Sequence, residues 1–458
     1  MELLLQINGV VNSIVWGPWM CAFLVGTGVY LTIILGVPQI RYFTLSFKNV
    51  FSKGAMRGYG EEGTISPFAA LATALAGTVG SGNIAGAATA IHLGGPGAAF
   101  WMWVSAIFGM TTKMVEVILA THYREKDEAG NWRGGTMYVL RAATGQKWLA
   151  WLFALFAALA AFGIGNMTQA NSSAEAVKLG FGVPHIYTGI VLAFLTGLVV
   201  IGGLKSIANA TTIVVPFMCV LYFIGGLVLL IMNIDKLPAA FGAAFYYAFH
   251  DPMAMPGAVA GWTLRLALVK GTARGIFSNE AGLGSAPMVH CTAITDHPVR
   301  QGTMGIFEVF FDTIIICTIT VISIIATGTL TGRPELTGAQ LTLTAFSTVW
   351  GNIGMIFVAI SLALFAYSTV LAWYWYGETG ATYILGVKVI PYYKALWIIC
   401  IVLGAWGGSE FLRNIWDFAD TLNGLMAIPN LIALWWVSGE VRRLVKDFDA
   451  KRARNELA

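Results

Sequence analysis

Ala76-Gly77-Thr78-Val79-Gly80-Ser81-Gly82-Asn83 sits in the middle of an apolar run from Pro67 to Ile91, with three glycines in six positions. Each interior glycine costs a helix about 1 kcal/mol relative to alanine. Glycines also let membrane helices pack closely, and Gly82 with Gly86 has the spacing of such a contact. The Gly-Ser-Gly-Asn cluster adds polar side chains to that backbone freedom. It reads as a helix broken near the bilayer centre, tolerated only where the freed backbone lines a cavity. A second stretch repeats the pattern: Ala273-Arg274-Gly275-Ile276-Phe277-Ser278-Asn279-Glu280-Ala281-Gly282-Leu283-Gly284 sets polar residues and three glycines between apolar flanks. Two interrupted helices point to the binding site of a secondary transporter. Half-helix N-termini attract a carboxylate, and freed carbonyls attract an ammonium or Na⁺, so the pair suits a zwitterion.

The surrounding chain supports a membrane setting. Of 458 residues, 57% are apolar and 11% charged, against roughly 45–50% and roughly 25% in soluble domains. Mean hydropathy is +0.72. So few charges cannot cover a soluble surface of this size, and apolar runs recur from end to end. The composition excludes disorder, a secreted disulfide scaffold and a nucleic-acid binder as overall classes. The five cysteines, without zinc-ligand or CxxC spacing, read as buried small hydrophobes. The six histidines fall mainly at segment ends, which disfavours a histidine proton relay. Met1 to Val15 lacks the basic start and small-residue cleavage site of a signal peptide.

A crossing helix needs about 20 mostly apolar residues. Eleven stretches qualify: Trp16–Pro38, Pro67–Ile91, Gly97–Thr121, Leu149–Ser173, Pro184–Leu204, Thr211–Met232, Gly257–Val289, Gly302–Leu330, Gly351–Gly377, Tyr393–Gly408 and Trp416–Val437. Arg265, Lys270 and Arg274 interrupt the seventh. Pro238–His250 and Gly338–Trp350 are too short to span and read as interfacial or loop-capping helices. Nineteen basic residues fall on one side and four (Lys178, Lys236, Arg333, Arg413) on the other, with four more inside spans. That bias places the N-terminus outside and the C-terminus in the cytoplasm. The basic tail, 438–458, reads as an inside anchor, with anionic-lipid binding as the alternative. No loop is long enough for a soluble catalytic domain. Spans 2–6 (67–232) and 7–11 (257–437) form two five-helix units whose first helices carry the breaks, as an inverted repeat requires. The segment 16–38 becomes an extra N-terminal helix. The fold expected is an all-α polytopic membrane protein with a single transport domain.

Gly94-Gly95-Pro96-Gly97-Ala98-Ala99-Phe100-Trp101-Met102-Trp103-Val104-Ser105-Ala106-Ile107-Phe108-Gly109 resembles the signature of the alanine/glycine:cation symporters. Ala273 to Pro287, ARGIFSNEAGLGSAP, is similar to a second block of that family. The similarity runs from about Trp16 to the last span. It implies a Na⁺-coupled importer of alanine and glycine in the cell membrane, within the amino acid–polyamine–cation superfamily. The implied fold is a leucine-transporter-like, five-plus-five inverted repeat. The amides of Ser81 and Gly82 would then hold the substrate carboxylate, and the Thr78 carbonyl would face the amine. The carbonyls of Ala76 and Val79, with Ser368-Thr369 in Phe365-Ala366-Tyr367-Ser368-Thr369, would hold Na⁺. Phe277, Ser278 and Asn279 fall where amine contacts and a side-chain wall are expected. Gln169, ahead of Asn171, is the expected polar contact to the carboxylate, and Trp373 is a candidate pocket wall.

Ionisable groups within spans are functional candidates. Lys113 and Glu116, spaced i,i+3, read as a structural pair. Glu308 and Asp312, spaced i,i+4, want a cation, a proton or basic neighbours, with Arg274 and Lys270 the expected partners. The alternative is a second cation site using Asp312, Asn83 and Thr78. No Ser/His/Asp or metal-ligand constellation argues for an enzyme, so no catalytic residue is assigned. Na⁺ is the coupling ion expected, with no cofactor. Proton-coupled symport is the nearest rival, and an ion channel or membrane-embedded enzyme stands further off.

Overall fold

Helices dominate residues 2–407 and 409–457, the part of the chain that the computed structural model describes. Gly408, the end of the tenth expected span, and the side chain of Arg413 lie outside the described residues. Helix α1 (Glu2–Val15) leads into α2 (Pro18–Leu35). The first broken span comprises α3 (Pro67–Thr78), an unwound pair at 79 and 80, a π-helical turn (Gly82–Gly86) and α4 (Ala87–Gly94). Its halves meet at 46°. Then come α5 (Gly97–His122), α6 (Lys147–Phe181), α7 (His185–Val200), α8 (Gly203–Met232) and the short α9 (Leu237–Tyr246). The second broken span is α10 (Leu264–Asn279), an irregular stretch over 280–286 and α11 (Pro287–His290). The chain closes with α12 (Pro298–Ala326), α13 (Gly338–Trp350), α14 (Asn352–Leu385), α15 (Ile390–Trp406), α16 (Ser409–Trp436) and α17 (Ser438–Ala453).

Among the described residues, seven helices are long and apolar enough to cross a membrane, and nine when each bent pair counts as one span. The remaining two of the eleven expected spans are helical but short. Helices α7 and α10 have 16 residues each, and α10 carries Arg265, Lys270 and Arg274. Both short amphipathic pieces are helices, α9 and α13.

Local chemistry places the ends. Ser66 accepts a hydrogen bond from the Ala69 amide at the start of α3, and Pro67 takes the first helical position. Thr263 does the same for α10 through the Leu266 amide. Glycine sets how closely the helices approach. A Cβ at Gly380 on α14 would lie 2.6 Å from the Ala154 carbonyl of α6. One at Gly271 on α10 would likewise fall inside 3.0 Å of the Ala98 carbonyl of α5. Outward faces are apolar, as lipid requires: Ile213, Phe217, Val220, Ile224 and Ile231 of α8 are all more than half exposed.

Candidate functional site

The two breaks come together at the centre of the molecule. Thr78 ends α3 and Val79 turns away with ψ +85°, so the Ala76 carbonyl meets a side chain from another helix. That side chain is Thr369 of α14, whose Oγ1 lies 2.9 Å from the Ala76 carbonyl and 2.9 Å from its own Phe365 carbonyl. Ser368 Oγ also reaches the Phe365 carbonyl, at 2.9 Å. Hydroxyl and carbonyl oxygens thus gather where a half-helix ends with its negative dipole, a setting suited to a small hard cation. Val79 is fully buried beside them, while Thr78 turns its hydroxyl back to the Ala74 carbonyl at 3.3 Å.

One turn further along, the Ser81 amide donates to Gln169 Oε1 of α6 at 3.2 Å, and Gln169 Nε2 donates to the Ile164 carbonyl at 3.0 Å. Of Gln169 and Asn171 on α6, Gln169 is the one that hydrogen-bonds to the break. Gly82 packs against Phe277 and Ser278 of α10, with a Cβ there 3.5 Å from Phe277 Cδ1 and 3.7 Å from Ser278 Cα. Three π-helical stretches adjoin this region: Gly82–Gly86, Ala161–Met167 just before Gln169, and Phe310–Cys317, which carries Asp312. π-bulges re-aim side chains and recur at functional sites.

Asp312, fully buried on α12, ties the two breaks together. Its Oδ1 accepts from Asn83 Nδ2 at 2.6 Å, and its Oδ2 accepts from Ser278 Oγ at 2.9 Å and Thr313 Oγ1 at 2.7 Å. Asn279 reaches Asp312 only through Thr313. Its amide donates to Thr313 Oγ1 at 3.1 Å and its Oδ1 caps the Ala281 amide at 3.0 Å. Phe277 lies beside Trp16 at the edge of a small cavity, with the Arg274 guanidinium 5.1 Å above its ring.

The second break falls at 280–286, just beyond Phe277, Ser278 and Asn279, which complete the last turn of α10. Glu280 stands there in the left-handed conformation, φ +55°. Its Oε1 accepts from Trp373 Nε1 at 2.9 Å, and its Oε2 from Ser285 Oγ at 2.6 Å. The only signal for Glu280 in the sequence was an acid among glycines in an apolar run. Trp373, the candidate wall, thereby has a hydrogen-bond partner that the sequence does not indicate.

Three charge assignments change. Lys113 does not pair with Glu116, because its ammonium points at Glu308 Oε1, 3.4 Å away on α12. Glu116 instead accepts the Gly282 and Gly284 amides, at 3.0 and 3.1 Å, and the Asn430 side chain. It thereby satisfies backbone donors that the second break sets free. Arg274 and Lys270 do not serve Glu308 or Asp312. Arg274 lies 3.6 Å from Asp420 on α16, while Glu308 holds Lys113 and His290 Nε2, the latter at 2.8 Å. Helix rotation decides this: i,i+3 spacing permits a pair, but a neighbouring helix offered each group a better partner.

Comparison with known proteins agrees with this architecture. The sodium/alanine symporter AgcS of Methanococcus maripaludis is 49% identical over 452 residues, covering 97% of each chain. The amino-acid carrier protein AlsT of Bacillus subtilis is 35% identical over 449 residues, covering 97% of this chain and 93% of that one. Among solved structures, MhsT in complex with L-phenylalanine superposes with a TM-score of 0.55 at 14% identity, over 84% of this chain and 99% of that one. That likeness speaks for the fold alone. The sequence profile of the sodium:alanine symporter family matches residues 1–458, and the chain belongs to that family.

Proposed function

We propose that the chain is a secondary transporter that takes up alanine and glycine with Na⁺ by alternating access. The observation that carries this reading is the Thr369 hydroxyl set between the Ala76 and Phe365 carbonyls at the first break. A cation bound there joins α14 to α3, as Na⁺ must if it is to bias one conformation over another. Ala76, Val79, Phe365, Ser368 and Thr369 form the Na⁺ site in this reading. The substrate carboxylate sits against the Ser81 and Gly82 amides, and the Thr78 carbonyl and the end of α10 receive its ammonium. An arriving carboxylate takes the place of Gln169 Oε1 on the Ser81 amide, and Gln169 then turns its Nε2 donor to the ligand. Substrate bridges the two breaks and draws them together.

The wider arrangement is part of the proposal: eleven crossings in the cell membrane, the N-terminus outside, the C-terminus cytoplasmic, and two inverted five-helix units behind one extra N-terminal helix. The charge asymmetry and the paired breaks support it. Proton coupling is the second reading, favoured by the buried carboxylate of Asp312 between Asn83 and Ser278. A second cation held by Asn83 and Asp312 uses the same geometry. The test is uptake into liposomes containing the purified protein, driven by a Na⁺ gradient at equal pH. Competition with glycine, L-alanine and D-alanine, and replacement of Na⁺ by K⁺, complete it. Uptake that requires a pH gradient and ignores Na⁺ overturns Na⁺ coupling.

A further inference from the structure

A pocket wall works only if it is held in place, and Trp373, the candidate wall of the alanine site, is held by a hydrogen bond from its indole N–H. We propose that Glu280 fixes the Trp373 ring and thereby sets the size limit of the substrate pocket. Glu280 is a positioning residue in this scheme, and the proposal rests on the transport reading above.

Trp373 is 1% exposed and stands one helical turn beyond Thr369 on α14, so it shares the face that meets the first break. On one side it lies against α6 at Gly165, where a Cβ would come inside 3.0 Å of Trp373 Cβ, Cγ and Cδ2. The ring has no room to retreat in that direction. Tyr376 closes another side, with ring centroids 5.4 Å apart at 66°. The remaining freedom is rotation about the side-chain torsions, and the indole N–H governs it by donating to Glu280 Oε1 at 2.9 Å.

Glu280 is itself held. Its backbone is left-handed, a conformation that residues with side chains rarely adopt. Its second oxygen accepts from Ser285 across the break. An apolar pocket wall needs no carboxylate, and a buried carboxylate is costly unless its oxygens are bonded. Both oxygens are bonded, one to the wall and one to the break. A buried hydrogen bond fixes the direction of the indole N–H, which packing alone does not do. Pocket width is thereby linked to the state of the second broken helix.

The test uses the full-length protein in liposomes, reading Na⁺-driven alanine uptake and its inhibition by 2-aminobutyrate and valine. A single methylene is discriminated by about 10- to 200-fold in a well-formed apolar pocket. Glu280→Ala is expected to narrow the preference for alanine over 2-aminobutyrate by about tenfold or more. Trp373→Phe, which keeps a ring but loses the N–H, should narrow it similarly, and the double variant should go no further. Glu280→Gln keeps an acceptor for the indole and should hold the ratio within about twofold of wild type. A purely structural Glu280 would change the amount of folded protein and leave the ratio alone. A wild-type ratio in Glu280→Ala, or a ratio in Glu280→Gln as relaxed as in Glu280→Ala, overturns the proposal. If Glu280→Ala fails to fold, a wild-type ratio in Trp373→Phe overturns it equally. A wild-type chain that takes up no alanine on a Na⁺ gradient overturns the transport reading and this proposal with it. Normal alanine uptake with unchanged selectivity overturns the proposal alone.

Discussion

Gly80→Ala probes the proposed Na⁺ site through a single methyl group. Gly80 is not in the left-handed region, so alanine meets no backbone penalty, and the effect comes from contacts. The new Cβ would lie inside 3.0 Å of Thr369 Oγ1, 3.4 Å from Thr369 Cβ and 3.5 Å from Gln169 Oε1. Threonine is stiff about its first torsion, and this hydroxyl is already engaged with the Ala76 and Phe365 carbonyls. Either the hydroxyl swings away from Ala76 or α14 moves off the first break, and both separate the oxygens that would hold the ion. Overpacking of this kind costs about 1–3 kcal/mol. If the cost falls on the Na⁺-bound state, apparent Na⁺ affinity drops by about 5- to 150-fold. The assay is alanine uptake into liposomes as a function of external Na⁺ at fixed pH. Adding Thr369→Ser should recover part of the loss, because serine moves its hydroxyl more freely. A folded Gly80→Ala protein with wild-type half-saturating Na⁺ would refute the placement of the ion between α3 and α14.

Lys113→Met should destabilise the protein by about 3–5 kcal/mol, because it removes the cation beside buried Glu308 and leaves that carboxyl only His290 as a partner. Pairing it with Glu308→Gln should restore most of the thermal stability in detergent, and equal melting of Lys113→Met and wild type would count against the pair. Asp312→Ala removes the acceptor shared by Asn83 and Ser278 and should lower alanine uptake about tenfold or more, since each bond to a charged group contributes about 1.5–3 kcal/mol. In Asp312→Asn, an unchanged Na⁺ dependence and Hill slope would remove Asp312 from coupling. At the start of α12, His297 Nδ1 accepts the Val299 amide at 3.2 Å while Nε2 faces Asp447 of α17 at 3.1 Å. Burial outweighs the pull of Asp447 and holds the imidazole below its usual pKa of 6.5. The unfolded chain therefore takes up the proton first, and stability present above pH 6.5 is lost as pH falls towards the folded value. Melting temperature should fall more between pH 7.5 and 5.5 in wild type than in His297→Gln, and equal slopes would contradict this.

Much of the candidate site was legible along the chain because it is built from backbone. Ala76, Ser81 and Gly82 act in this reading through carbonyls and amides, and a glycine cluster advertises where those groups leave a helix. Gln169, the expected polar contact on its helix, accepts from the Ser81 amide. Asn279, expected by its segment among the amine contacts, bonds Thr313 with its side chain, a direction that the last turn of α10 sets. The break itself begins one residue later, where Glu280 takes positive φ and glycines follow at Gly282 and Gly284.

By itself, the order of residues determined the membrane setting, the helical class, the two interrupted spans and the family. The first three follow from composition, from apolar run length and from local backbone cost, all properties of neighbours along the chain, and the family follows from the resemblance of Gly94–Gly109 and Ala273–Pro287 to its signature blocks. Only the tertiary structure decided which charges meet. Lys113 joined Glu308 rather than Glu116, Glu116 went to the amides of the second break, and Glu280 found Trp373. Partners from different helices depend on how each helix is rotated and how closely glycines let it approach. In low-dielectric surroundings a buried charge takes whichever partner comes into range, however far away it is in sequence.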